Sequence, residues 1–266
     1  MNNNGVAVDV SPALPSVLRW LPVWRRHYRV WLKLVGPAML GNFGEPLLYL
    51  LALGYGLGTF IGTIGGLPYL VFLASGMVCS SAMNTASFEG LYSAFTRMDV
   101  QKTWDAMLAT PLSVADIVIG EAIWAATKGL ISSVAIMVVA ALLGTVADGW
   151  ALLALPVIFL TGLCFAAMAL VVTACAKNYD FFMYYYTLLM TPMMLLSSVF
   201  FPLQEMPPVI QWLAWLLPLI HSVELVRPLM TGLPLEQPWL HLLVLAGYSV
   251  GFLALAIRLC ERRLLA

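Results

Sequence analysis

The sequence predicts an all-α integral membrane protein: six transmembrane helices, an N-terminal interfacial amphipathic helix, a short cytoplasmic helix and an outer re-entrant hairpin. Three observations lead there. Of the 266 residues, 62% are apolar and only 10% are charged, where a soluble domain carries about 25% charged residues. Too few charges remain to cover a water-facing surface, so lipid is the solvent for most of the chain. The apolar residues fall in long runs, each near the roughly 20 residues that cross a bilayer. The basic residues gather on one side of those runs.

Residues 1–14 are expected as a disordered tail and 15–33 as the interfacial helix. Residues 34–266 form one membrane domain, with spans over 34–60, 69–94, 117–146, 151–176, 181–201 and 238–259. An even number of spans returns both termini to one side. With the N-terminus inside, the inner segments hold Arg19, Arg25, Arg26, Arg29, Lys33, Arg97, Lys102, Lys177, Arg258, Arg262 and Arg263. That is eleven of the 13 basic residues. Lysine and arginine accumulate in cytoplasmic segments, which places both termini in the cytoplasm.

The segment before the first span reads PSVLRWLPVWRRHYRVWLK. At about 100° per residue, Trp20, Trp24 and Trp31 share one arc, and Arg25, Arg26 and Arg29 lie opposite. Aromatics on one face and cations on the other describe a helix lying in the headgroup layer. The plainer alternative is a basic tail that only sets topology.

Between spans two and three runs RMDVQKTWDAMLATPLSVAD. Trp104, Met107 and Leu108 have the spacing of one helical face, with Arg97 and Lys102 nearby. Such a helix, near 97–109, either docks into a groove on a partner or lies on the membrane. Thr110-Pro111 ends it, because the residue before proline resists the α conformation. Ser113 can cap the next helix, with Asp116 in its first turn.

After span five, Pro202, Pro207, Pro208 and Pro218 cut an apolar stretch into pieces too short to cross. This outer hairpin covers 202–232, and Trp212 and Trp215 mark an interface. His221, Glu224 and Arg227 make a polar stripe. Glu224 and Arg227 either neutralise each other or meet a substrate headgroup. Within the spans, Glu45, Glu89, Glu121 and Lys128 are costly charges, paired or functional by default.

No GxxxxGK[ST] phosphate loop, HExxH or GxSxG occurs, and the histidines His27, His221 and His241 are scattered. No catalytic, metal-binding or cofactor-binding residue is expected in this chain. Cys79, Cys164, Cys175 and Cys260 form no CxxC pair and read as small apolar residues. The zero net charge argues against nucleic acid as a partner. The N-terminus does not read as a cleavable signal peptide, since its apolar residues are interrupted by prolines and arginines.

Three stretches resemble the permease subunits of ABC-2 type transporters, in particular the lipooligosaccharide and daunorubicin exporters. They are Arg97, Thr103, Leu108 and Thr110-Pro111-Leu112 leading to Gly120-Glu121; Phe201-Pro202-Leu203 with Glu205-Met206-Pro207-Pro208; and Leu217-Pro218-Leu219 with His221, Glu224-Leu225-Val226-Arg227 and Gly232. The resemblance implies a permease homodimer served by two copies of a separate ATPase that holds ATP and magnesium. It implies export of a lipid-linked, glycolipid or lipooligosaccharide-like amphiphile, or efflux of a drug or natural product. The helix carrying Arg97, Lys102, Trp104, Met107 and Leu108 becomes the coupling helix of a type V exporter, and the interfacial helix also touches the ATPase. Spans two and five would line the path. There Tyr184, Tyr185, Tyr186, Met190 and Met193 either contact substrate or serve as aromatic belt and packing. The rival class is an ion-coupled secondary transporter using Glu45, Glu89 and Glu121, for which no internal repeat is visible.

Overall fold

The computed structural model describes Pro15 and residues 18–33, 35–147 and 149–265; for Val35 and residues 37–46 only the backbone is described. The expected tail over 1–14 and the Glu45 side chain lie outside the described residues. The described residues are mostly helical. A two-stranded antiparallel hairpin, β1 (Thr63–Ile64) with β2 (Leu67–Pro68), is the exception among the described residues.

The helix α1 (Leu21–Leu32) begins with Pro22 in its first turn, where a missing N–H costs nothing. Next come α2 (Val35–Gly56), the single turn α3 (Gly58–Ile61) and α4 (Tyr69–Phe88). The helix of α4 continues to Val100 through two π-helical segments, Glu89–Ser93 and Thr96–Val100. Arg97 therefore belongs to this long helix and not to the inner-surface helix expected over 97–109. Lys102, in the left-handed conformation at φ 52°, makes the sharp turn into α5 (Thr103–Leu108).

Ser113 closes a capping box with Asp116 at the start of α6 (Val114–Leu142). Its hydroxyl accepts from the Asp116 backbone N–H at 3.2 Å, and the Asp116 carboxylate accepts from the Ser113 backbone N–H at 2.9 Å. A 3₁₀ segment, Gly149–Leu153, leads into α7 (Ala154–Cys175). Arg263 donates to the Thr173, Ala174 and Ala176 carbonyls and to Asp99, tying the C-terminal end of α7 to the last helix.

The helical stretch α8 (Asp180–Tyr185), a π-helical segment (Tyr186–Met190) and α9 (Thr191–Leu196) ends before the expected residue 201. Ser198, at φ 57°, breaks it. Next come α10 (Pro208–Ala214) and α11 (Pro218–Thr231), bent 88° apart, and α12 (Pro238–Leu265). The α10 side chains Val209, Trp212 and Leu213 are exposed, whereas most of α11 is buried in the bundle against α4, α7 and α12.

Four of the described helices are long and apolar enough to cross a membrane, or five if the bent pair counts as one. Small residues let them approach closely. A Cβ on Gly129 of α6 would stand 3.0 Å from the Ala82 carbonyl oxygen of α4. Beside it the Ser81 and Ser132 hydroxyls meet at 2.8 Å, and Ser133 donates to the Val78 carbonyl.

Candidate functional site

Two places among the described residues hold buried charged side chains of the long helices, one at the junction of α1, α5, the C-terminal extension of α4 and the N-terminal half of α6, the other at the opposite end of α4. The first is a box of buried charge. Its sequence logic is helical spacing: Glu121, Trp124 and Lys128 share one face of α6, and the π-helical turns ending α4 aim Glu89 and Arg97 at that face. Arg97 lies between the two carboxylates. Its Nη1 is 2.9 Å from Glu89 Oε1, its Nε donates to Glu121 Oε1 at 3.0 Å, and its Nη2 pairs with Glu121 Oε2. Lys128 Nζ donates to Glu89 Oε2 at 2.7 Å. Two indoles complete the shell at 3.0 Å: Trp124 donates to Glu89 and Trp104 to Glu121. His27 Nε2 comes from α1 to within 3.1 Å of Glu121 Oε1, at ion-pair distance.

Glu89 and Glu121 are 3% and 1% exposed. Buried carboxylates of this kind persist only where charges and donors surround them. The partners come from other helices. Glu121 and Lys128, two turns apart on α6, take partners from another helix: Lys128 reaches across to Glu89, and Arg97 serves both acids.

The expected coupling residues divide. Trp104 is fully buried, Met107 is buried and Leu108 is half-buried; these apolar side chains pack into the bundle. Arg97 is inside the box. Lys102 is exposed, together with Val100, Gln101, Asp105 and Ala106. The aromatic face of α1 also turns toward the protein. Trp24 donates to Thr127 Oγ1 at 3.1 Å and meets Trp124 edge-on, as does Trp31, and Trp20 precedes the helix half-buried. Arg25, Arg26 and Arg29 face outward. Partial burial, and then the Arg97 cation, lower the Arg26 pKa from its ordinary value. His27 sits between Trp24 and Trp31 at helical spacing, a signal that marks it as part of the inward face.

The residues proposed for a path also divide. Tyr184 is exposed and Tyr186 half-buried, whereas Tyr185, Met190 and Met193 are buried in the bundle. Ser87 Oγ donates to Met190 Sδ at 3.5 Å. The aromatic contact between α4 and α8 runs instead through Tyr92, stacked on Phe88 and Tyr179, with Phe95 and Phe182 edge-on to Tyr179.

At the other end of α4, Arg227 of α11 forms no ion pair with Glu224. Its Nε donates to Ser75 Oγ at 3.0 Å, its Nη1 to Ser198 Oγ at 3.1 Å and its Nη2 to the Ser198 carbonyl. The guanidinium also lies 3.7 Å from the Phe72 ring centre. It thereby satisfies backbone freed where the helix breaks after α9, which apolar surroundings require. Gly76 makes this possible, since a Cβ there would stand 2.8 Å from the Val199 carbonyl oxygen. His221, scattered from His241 in sequence, meets it at 2.9 Å between the Nδ1 atoms, and Trp215 stacks on His241. Among the described residues no group of three or more His, Cys, Asp or Glu is arranged to hold a metal ion.

Residues 21–231 match the ABC-2 type transporter family. The chain is 48% identical to nodulation protein J of Rhizobium leguminosarum bv. trifolii over 258 residues, 97% of this chain and 98% of that protein. It is 46% identical to nodulation protein J of Sinorhizobium fredii over 257 residues, 97% of each chain. It is also 27% identical to the inner membrane transport permease YadH of Escherichia coli over 215 residues, 80% of each. With apolar helices of spanning length, a family match over most of its residues and such similarity to nodulation protein J, the chain belongs to the ABC-2 type transporter family of membrane permeases.

Proposed function

We propose that this chain is the non-catalytic permease subunit of an ATP-driven exporter, working as a homodimer with two copies of a separate ATPase in the bacterial inner membrane. The observation that carries this reading is the inner surface. There the turn before α5 exposes Gln101 and Lys102, and α5 exposes Asp105 and Ala106, while Trp104 on its other face is bonded to the charge box of α4 and α6. A helix with one free polar face and one anchored face suits contact with a second chain that delivers motion. The sequence has no phosphate loop, so the nucleotide and magnesium belong to that partner.

The substrate class we propose is an amphiphile of the lipooligosaccharide type. The resemblance of its motifs to lipooligosaccharide exporters supports it, as do the exposed aromatic faces of Phe88, Tyr179 and Tyr184, which suit sugar rings and acyl chains. The six spans are then α2, α4 with its π-helical extension, α6, α7, the α8–α9 stretch and α12, with α10–α11 as the outer hairpin. The α8–α9 stretch is the shortest, about 25 Å of helix at 1.5 Å per residue, which the broken segment after Leu196 extends.

The test is transport in vesicles holding the purified permease and a partner ABC ATPase that co-purifies with it. Export of a fluorescent acylated oligosaccharide should require ATP and stop with a hydrolysis-deficient ATPase. Uptake driven by a proton gradient without ATP would overturn the reading in favour of an ion-coupled transporter.

A further inference from the structure

We infer that Glu121 is the positioning carboxylate through which the inner-surface helices α1 and α5 move α4 and α6. This rests on the permease reading above and assigns the residue that carries its coupling step. One oxygen, Glu121 Oε1, gathers groups from three other elements: Trp104 Nε1 of α5 at 3.0 Å, Arg97 Nε of the α4 extension at 3.0 Å and His27 Nε2 of α1 at 3.1 Å. The carboxylate itself stands on α6. Trp104 and His27 are the buried polar side chains with which α5 and α1 reach the box.

The arrangement is costly for a purely structural role. Buried ion pairs add little net stability over apolar packing of the same volume, but they hold their members in one geometry. The backbone points the same way. The α4 helix widens into π-helical turns at Glu89–Ser93 and Thr96–Val100, the two segments that carry Glu89 and Arg97. Such turns are rare and are found frequently at functional sites. Here they bring both side chains onto α6. The link continues past Glu121, because Arg97 also holds Glu89, and Glu89 holds Lys128 and Trp124 of α6. A push on α5 therefore reaches the contacts between α4 and α6 through the Trp104–Glu121 hydrogen bond as well as through the packing of Met107 and Leu108. The α1 helix, whose Trp24 is bonded to Thr127 of α6, moves with the same set.

Two variants test this in the assembled permease–ATPase complex. Trp104→Phe keeps a ring in the buried site and removes the indole N–H. Glu121→Gln keeps the shape and removes the charge. Each is expected to leave ATPase binding intact and to lower transport per ATP hydrolysed by about tenfold, the scale of one charge-assisted hydrogen bond. The double variant is expected to lose no more than the stronger single one, since both act on one link. Hydrogen exchange gives a readout independent of substrate. Trapping the complex with ATP and vanadate should change protection in residues 89–100 and 114–125 together with 103–108 in the unmodified protein, and in 103–108 alone in the variants. Unchanged transport per ATP, additive losses, or variants in which the change still spreads to 89–100 would overturn the role of Glu121. An unmodified complex with no nucleotide-dependent change and no ATP-driven transport would instead overturn the permease reading and this inference with it.

Discussion

Arg227 carries its charge in the buried bundle and makes no ion pair among the described residues. Its compensation is a set of oxygens on Ser75 and Ser198 and the face of Phe72. The ring contributes about 2 kcal/mol to a desolvated cation, and each hydrogen bond to the charged group about 1.5–3 kcal/mol. Removing the guanidinium would also leave the Ser198 carbonyl without its donor. Arg227→Gln is therefore expected to lower stability by about 2–4 kcal/mol, read as a fall in melting temperature in detergent. Rapid hydrogen exchange around Ser198 would accompany it; an unchanged melting temperature would remove the clamp from the account. The sequence marks Arg227 as unusual but gives it the wrong partner. Glu224 is near in the chain, whereas Ser75 lies 152 residues away and Ser198 29 residues away. His27 is legible in the sequence only as part of an inward face, since its partner is Glu121 of another helix.

At the scale of elements, local rules were read correctly where local chemistry decides. Ser113 and Asp116 form their capping box because both partners lie within one turn. Ser113→Ala should destabilise the start of α6 by about 1 kcal/mol. This is measurable as faster amide exchange over Val114–Ile117, and equal exchange would show the cap to be dispensable. Amphipathic faces were legible as patterns but not as destinations. The Trp face of α1 and the Trp104 face of α5 have the spacing of docking surfaces, yet both are packed on this chain's own helices. A periodic pattern shows that a face is apolar; only the neighbouring helix shows what covers it. The π-helical turns had no sequence signature at all, and they shift the phase of α4 so that Glu89 and Arg97 converge.

For the whole molecule, the asymmetry of lysine and arginine makes a statement that can be checked directly. With Cys175→Ser as the background, because the other cysteines are buried, a cysteine in place of Trp150 should react with an impermeant maleimide from outside. A cysteine in place of Gln101 should react only after the membrane is opened. Both positions are exposed, so labelling of position 101 from outside would reverse the orientation. The sequence by itself determined the class, a helical membrane permease of the ABC-2 type, because hydrophobic length and family motifs are written along one chain. It also exposed the intramembrane charges as costly. The tertiary structure alone decided how those costs are met: which acid pairs with which base, where the helix after α8 breaks, and which face of α5 remains free. The physical reason is that burial demands partners within about 3 Å, and helices that are neighbours in space supply them from positions far apart in the sequence.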